Sequence, residues 1–279
     1  MGSALAAALL RTGHPTTVWN RSPEKADPLL ALGATRAGSV ADTVAAGPLT
    51  VVCVSDHEAV TDVLDAAGGA LADKVLVNLA SGSSQQARAA ARRVQQLGGR
   101  SLDGAILATP DGIGNADTVI LYAGSETAYH THAPSLAALG GGATYLGTDP
   151  GTSSLYDVAL LDILWTSLTG VLHALALVGT EGIKATEFAP FAGMLFAGVG
   201  TFVPRYAQQI ADGEYPADDS TLDTHLAGIR HLTEEVEDRA VDARLPLYVR
   251  GLMEKAVASG HGGDSFARLV EQFAPLRRK

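Results

Sequence analysis

One cysteine, Cys53, occurs in 279 residues, which excludes an internal disulfide and suits a reducing compartment such as the cytoplasm. It lies in the apolar run Leu49-Thr50-Val51-Val52-Cys53-Val54 and reads as a small buried strand residue. Basic residues are scarce as well: 20 Lys and Arg against 30 Asp and Glu leave a net charge of −10, without the clustered cations that a phosphate backbone requires. Nucleic acid is therefore not an expected partner. No charged, apolar leader with a cleavage site is present. Neither H-E-x-x-H nor G-x-S-x-G occurs. His130-Thr131-His132 has no third ligand at useful spacing, so it reads as a solvated helix border rather than a metal site. Repeats and low-complexity segments are lacking, and Glu234–Asp238 reads as the wet face of a helix.

What is present is apolar and patterned. With 47% hydrophobic and 18% charged residues, the chain is long enough for one large or two ordinary domains. Up to about residue 148, short β-rich runs alternate with helical stretches, the pattern of a parallel sheet covered by helices on both faces. Strands are expected at 16–19, 34–37, 50–54, 75–78, 100–105 and 119–123, with 144–146 as a late edge. Helices fit at 3–12, 23–32, 39–46, 57–66, 84–98 and 125–139, and Gly13, Gly33 and Gly98 are placed to stop three of them. After Thr148-Asp149-Pro150-Gly151 only helical periodicity remains, which divides the chain into 1–149 and 150–279.

The second part opens with an unusually apolar helix over 152–178, about 40 Å long at roughly 1.5 Å per residue. Asp157, Asp162 and His173 interrupt it, which argues against a membrane span and for burial between domains or subunits. Further helices are expected at 186–211, bent at Pro204, and at 220–243, 246–259 and 264–273. Leu222, Leu226, Ile229 and Leu232 form an apolar stripe on the third from last.

The opening Met1-Gly2-Ser3-Ala4-Leu5 followed by Val18-Trp19-Asn20-Arg21-Ser22 fits the later part of a Rossmann unit. In such a unit the third glycine of G-x-G-x-x-G permits close helix–strand packing, and backbone N–H groups at the helix start hold pyrophosphate. Gly2 suits that third position. The pattern expects a first strand and two more glycines ahead of Met1, and expects a chain without them to fold or bind cofactor less well than an extended one. At the end of the next strand, an NAD-selective site places a carboxylate on the ribose hydroxyls. Here Arg21, Ser22 and Lys25 would instead attract a 2′-phosphate, favouring NADP(H). A solvated basic turn is the competing reading.

In Ser154-Leu155-Tyr156-Asp157-Val158-Ala159-Leu160-Leu161-Asp162, residues Asp157, Leu161, Leu164, Trp165 and Leu168 fall on one helix face, with Asp162 about 140° away. A carboxylate among large apolar groups holds its proton to higher pH, which suits a proton donor or the partner of a bound cation. A cap or an interhelical hydrogen-bond acceptor is the structural alternative for Asp157.

Together with Asn78-Leu79-Ala80-Ser81-Gly82-Ser83 and Leu102-Asp103-Gly104-Ala105-Ile106-Leu107-Ala108-Thr109-Pro110, these segments resemble the imine reductases. That family includes reductive aminases and is related to the β-hydroxyacid dehydrogenases. The resemblance extends from Met1 to the C-terminal helices. It implies that Asp157 stands where the dehydrogenases carry a lysine, favouring C=N over C=O reduction, and that an Asp there goes with R-type selectivity. It further implies cofactor contacts from Met1, Gly2, Asn20, Arg21, Ser22, Lys25, Val54, Ser55, Asn78 and Ala80. Ser81, Thr109, Leu161 and Trp165 would meet substrate. Thr224 and His225 would come from the other subunit of a reciprocally swapped homodimer. A β-hydroxyacid dehydrogenase, or an NADP-binding dimer with little activity, remains the alternative.

Overall fold

The computed structural model describes residues 1–273. Helix α1, Gly2–Arg11, buries Leu5 and Ala8 on one face and ends before Gly13, whose φ of +82° turns the chain away. Strand β1, Thr17–Val18, leads through the 3-10 turn Pro23–Ala26 into α2, Asp27–Leu30, and β2, Thr35–Arg36, pairs parallel to β1. Ser39 caps α3, Val40–Ala45; β3, Leu49–Val52, follows, and Asp56 caps α4, His57–Ala67. Strand β4, Val75–Asn78, is followed by α5, Ser84–Gln96, which starts with a capping box between Ser83 and Gln86. Strands β5, Arg100–Ile106, and β6, Val119–Gly124, precede α6, Glu126–Thr131, α7, Ala133–Leu139, and β7, Gly142–Tyr145.

These strands make a two-stranded sheet, β1-β2, and a five-stranded sheet in the order β3-β4-β5-β6-β7. Strand β4 is buried on both faces: Val75 and Val77 join a core with α1, β5, β6 and α7, while Leu76 joins the opposite core with α3, α4 and α5. One expectation fails here, because β6 runs antiparallel to β5. The segment between them carries only the 3-10 turn Pro110–Gly112, so no crossover helix returns the chain to a parallel start.

The single helix expected at 125–139 is broken at His132. Pro134 lacks the N–H that would bond the His130 carbonyl, so α7 begins afresh. A similar correction applies farther on. Helix α8 spans Gly151–Gly179, α9 Ala185–Gly200 and α10 Phe202–Asp212. The break in the expected 186–211 helix thus lies at Thr201 rather than Pro204. Pro204 cannot donate to the Gly200 carbonyl, and the disruption falls on the glycine-containing turn that precedes it.

Helices α11, Leu222–Asp238, α12, Arg244–Ala256, and α13, Val270–Phe273, complete the described residues. Leu222 and Leu226 pack with Met253, Ala256 and Leu269, and Ile229 flanks them, but Leu232 is exposed. Contacts group Met1–Leu164 in one compact unit and the residues from Trp165 onward in another.

Within the chain itself, helix α8 is largely uncovered. Only its first turn is enclosed, through Gly151, Ser153 and Ser154, whereas Trp165 is 62% and Leu172 67% exposed. Phe191, Met194 and Leu195 on α9 are exposed as well. By length and composition alone, 151–179 and 185–212 are each apolar enough to cross a bilayer.

Candidate active site

The site is assembled at the carboxyl ends of parallel strands, where loops leave the sheet and helix N-termini arrive. At the end of β3 the first turn of α1 comes close: a Cβ on Gly2 would lie 3.6 Å from the Cys53 carbonyl oxygen, an ordinary contact. Close approach is therefore present, although sterics do not require glycine there. Met1 supplies the carbonyl that accepts from Ala4 and Leu5, but its side chain makes no cap, and Met1 and Gly2 are exposed.

Beyond β1, the Asn20 side-chain carbonyl accepts from the Ser22 N–H at 2.9 Å, a turn that holds Arg21 outward. The Arg21 side chain is 78% exposed and lies 3.8 Å from Asp62 on α4. Its charge also helps lower the Asp56 pKa, after the stronger effects of hydrogen bonds from Ser55 and the Ala59 N–H. These relations bring Asn20–Arg21 beside the Val54–Ser55 loop that follows β3. The Ser22 side chain makes no cap to the 3-10 turn it precedes, and Lys25 is exposed. An exposed guanidinium, an ammonium and a hydroxyl in one turn, beside a helix start, suit the phosphates of NADP(H).

The end of β4 and the middle of β5 hold a buried polar cluster. Asp103 on β5 is 3% exposed. Its carboxylate accepts from Asn78 Nδ2 at 2.8 Å, Ser153 Oγ at 2.8 Å and Ser154 Oγ at 2.6 Å. Desolvation raises the Asp103 pKa against the lowering effect of these donors, and the Asp157 charge raises it further. The Asn78 side chain is thus occupied: one end donates to Asp103, and its oxygen accepts from the Ala80 N–H at 3.3 Å. Asn78 and Ala80 are buried, so neither side chain is open to a ligand, while the Ser81 side chain is exposed. Thr109 is exposed too, and its hydroxyl bonds to Asp111 and lowers that carboxylate's pKa.

Helix α8 is anchored at its start. Arg88 donates from Nε and Nη2 to both Asp149 oxygens at 2.8 and 2.7 Å, and Asp149 accepts from the Gly151 N–H at 3.0 Å. A Cβ on Gly151 would meet the Arg88 guanidinium at 2.6 Å, so a larger residue there would push that flexible side chain aside. Asp157 lies four residues beyond Ser153 and three beyond Ser154, on the same helix face. It is half-buried, and desolvation raises its pKa. Leu161 is half-buried one turn farther, whereas Leu164, Trp165 and Leu168 are exposed.

Thr224 and His225 stand on the first turn of α11, in the second unit. The Thr224 N–H donates to Thr221 Oγ1 at 3.3 Å, and the His225 ring packs edge-on to Phe266 with centroids 5.0 Å apart. Asp103 is the residue that sequence reasoning did not select. Its signal was its place between Leu102 and Gly104-Ala105-Ile106, in the apolar part of a strand, where a carboxylate needs partners.

The dinucleotide-type sheet and a desolvated carboxyl on the following helix define a nucleotide-dependent oxidoreductase. Residues 1–147 match the model of the NAD binding domain of 6-phosphogluconate dehydrogenase, and residues 149–275 match that of the NADPH-dependent reductive aminase-like C-terminal domain. An NADPH-dependent reductive aminase of Aspergillus oryzae is 36% identical over 98% of this chain and 94% of its own. A reductive aminase from Aspergillus terreus, solved with NADPH and ethyl levulinate, superposes with a TM-score of 0.92 at 39% identity, covering 98% of this chain and 96% of that one. An imine reductase from Myxococcus stipitatus, solved with NADP+, gives 0.92 at 36% identity with the same coverage. The chain belongs to the family of NADPH-dependent imine reductases and reductive aminases, oxidoreductases that act on C=N bonds.

Proposed function

We propose that this protein reduces imines, cyclic ones included, to amines with NADPH, with Asp157 as the group that acts on the C=N nitrogen and with R-type selectivity. The observation that carries the reading is a half-buried carboxyl with a raised pKa on α8, whose first turn is anchored to Asp103 of β5; by the family resemblance, the related dehydrogenases carry lysine at that position. NADPH, when bound, supplies the hydride. Arg21, Ser22 and Lys25 hold its 2′-phosphate, and Met1, Gly2, Val54, Ser55 and the backbone at Asn78 and Ala80 line its path. Asp157 either protonates the imine nitrogen or, ionised, stabilises an iminium already formed. A lysine there would repel that cation. Ser81 and Thr109 offer hydroxyls to substrate, and Leu161 and Trp165 offer apolar wall. In this reading residues 1–149 form the cofactor domain and 150–279 the substrate and dimerisation domain, working in the cytoplasm.

The test is NADPH consumption, followed by absorbance, with a cyclic imine and chiral analysis of the amine. Turnover with an R product is expected. NADPH binding without oxidation would overturn the reading.

The apolar surfaces of α8 and α9 support a second copy of this chain as their cover, with Thr224 and His225 completing the partner's site. Large apolar side chains exposed in such number along two helices mark an interface, and obligate homodimers have the most apolar ones. Light scattering should give twice the 28.7 kDa chain mass. Met194→Glu combined with Leu195→Glu should yield monomer and abolish turnover. A monomeric wild type, or one recovered only with membranes, would refute this assembly.

A further inference from the structure

We infer that Asp103 is a positioning residue for this reaction, tying the Asn78 end of β4 to the first turn of α8 and thereby fixing where that helix holds Asp157. The inference rests on the imine-reducing function proposed above and identifies what sets its geometry.

Asp103 is almost fully enclosed, yet no ion pair neutralises it among the described residues. Three hydrogen bonds serve instead, from two directions: Asn78 from the neighbouring strand, and Ser153 and Ser154 from the helix. Burying a carboxylate this way is costly, and an apolar residue would fill a strand position between sheet and helix without that cost. What an apolar residue could not do is accept three directed bonds at once. The two serines share the Asp157 face, one turn before it, so the link that orients them also orients Asp157. The N-terminus of α8 adds a favourable partial positive charge toward the buried anion. The other charged groups at this end of the helix are Arg88 and Asp149, and these are paired with each other. Asp103 also lies close enough to Asp157 for the two charges to interact.

Two substitutions separate anchor from charge. Asp103→Asn keeps the shape and an acceptor for Asn78, and the serine hydroxyls can rotate to accept from the new amide. Asp103→Ala removes every acceptor. Asp103→Ala is expected to lower kcat at least tenfold, measured well below its melting temperature, with the NADPH Kd changed less than threefold. Asp103→Asn is expected to stay within about threefold of wild-type kcat. Wild-type kcat in Asp103→Ala, or a kcat in Asp103→Asn as low as in Asp103→Ala, overturns the inference. If Asp103→Ala does not fold, the double variant Ser153→Ala with Ser154→Ala takes its place: a tenfold loss of kcat is expected, and unchanged kcat overturns the inference. A wild type that reduces no imine refutes the functional proposal instead, whereas an active wild type with an indifferent Asp103→Ala refutes only this one.

Discussion

Asp157→Asn is expected to lower imine turnover by about 10²- to 10³-fold, within the range typical for removing a positioned acid or base. The substitution keeps side-chain volume and helix register, so the NADPH Kd should stay near wild type. What disappears is the ability to hold and release a proton or to face a cation with a full negative charge. The pH profile of kcat carries the sign. Desolvation raises the Asp157 pKa, so its proton persists to higher pH than on an ordinary aspartate. If Asp157 donates that proton, wild-type kcat falls as pH rises through the raised pKa. If its anion stabilises an iminium, kcat rises there instead. Either limb should vanish in Asp157→Asn, and steady-state NADPH oxidation across pH checks it. Full turnover by the variant at every pH would remove Asp157 from the chemistry.

Short-range patterns made much of this architecture legible. The run 75–78 reads as a strand of a sheet covered by helices on both faces, and β4 occupies those residues with all four buried. Asn20-Arg21-Ser22 reads as a polar turn at a strand end, and the turn forms around the Asn20 carbonyl. The direction of β6 was not legible, because alternation of apolar residues is the same in parallel and antiparallel strands. The breaks at His132 and Thr201 fell before Pro134 and Pro204 because a proline withdraws a donor from the turn preceding it. Asp103 was hidden for another reason: its partners lie 25, 50 and 51 residues away in sequence. No local spacing rule pairs a strand carboxylate with two serines on a later helix. The environment of α8 was also beyond reach, since an all-round apolar helix states that something must cover it without naming the cover.

Arg21→Ala is expected to weaken NADPH binding by about 10- to 100-fold, the loss that follows from a charged hydrogen-bonding group worth about 1.5–3 kcal/mol. NADH, which lacks the 2′-phosphate, should bind nearly as before, so the preference between the two cofactors should collapse. The residue's surroundings set this expectation. Its guanidinium is largely exposed, and its contact with Asp62 at 3.8 Å is long and solvent-screened, too weak to hold it from a phosphate dianion. Lys25 stands one turn on, so the double variant Arg21→Ala with Lys25→Ala should lose more than either alone. The wild-type NADPH Kd should also weaken steeply between low and physiological salt, and the slope should flatten in Arg21→Ala as the attraction that salt screens is removed. Fluorescence titrations of both cofactors over a salt series measure all of this. An unchanged ratio of NADPH to NADH affinity in Arg21→Ala would show that the basic turn is merely solvated surface and that selectivity arises elsewhere on the rim.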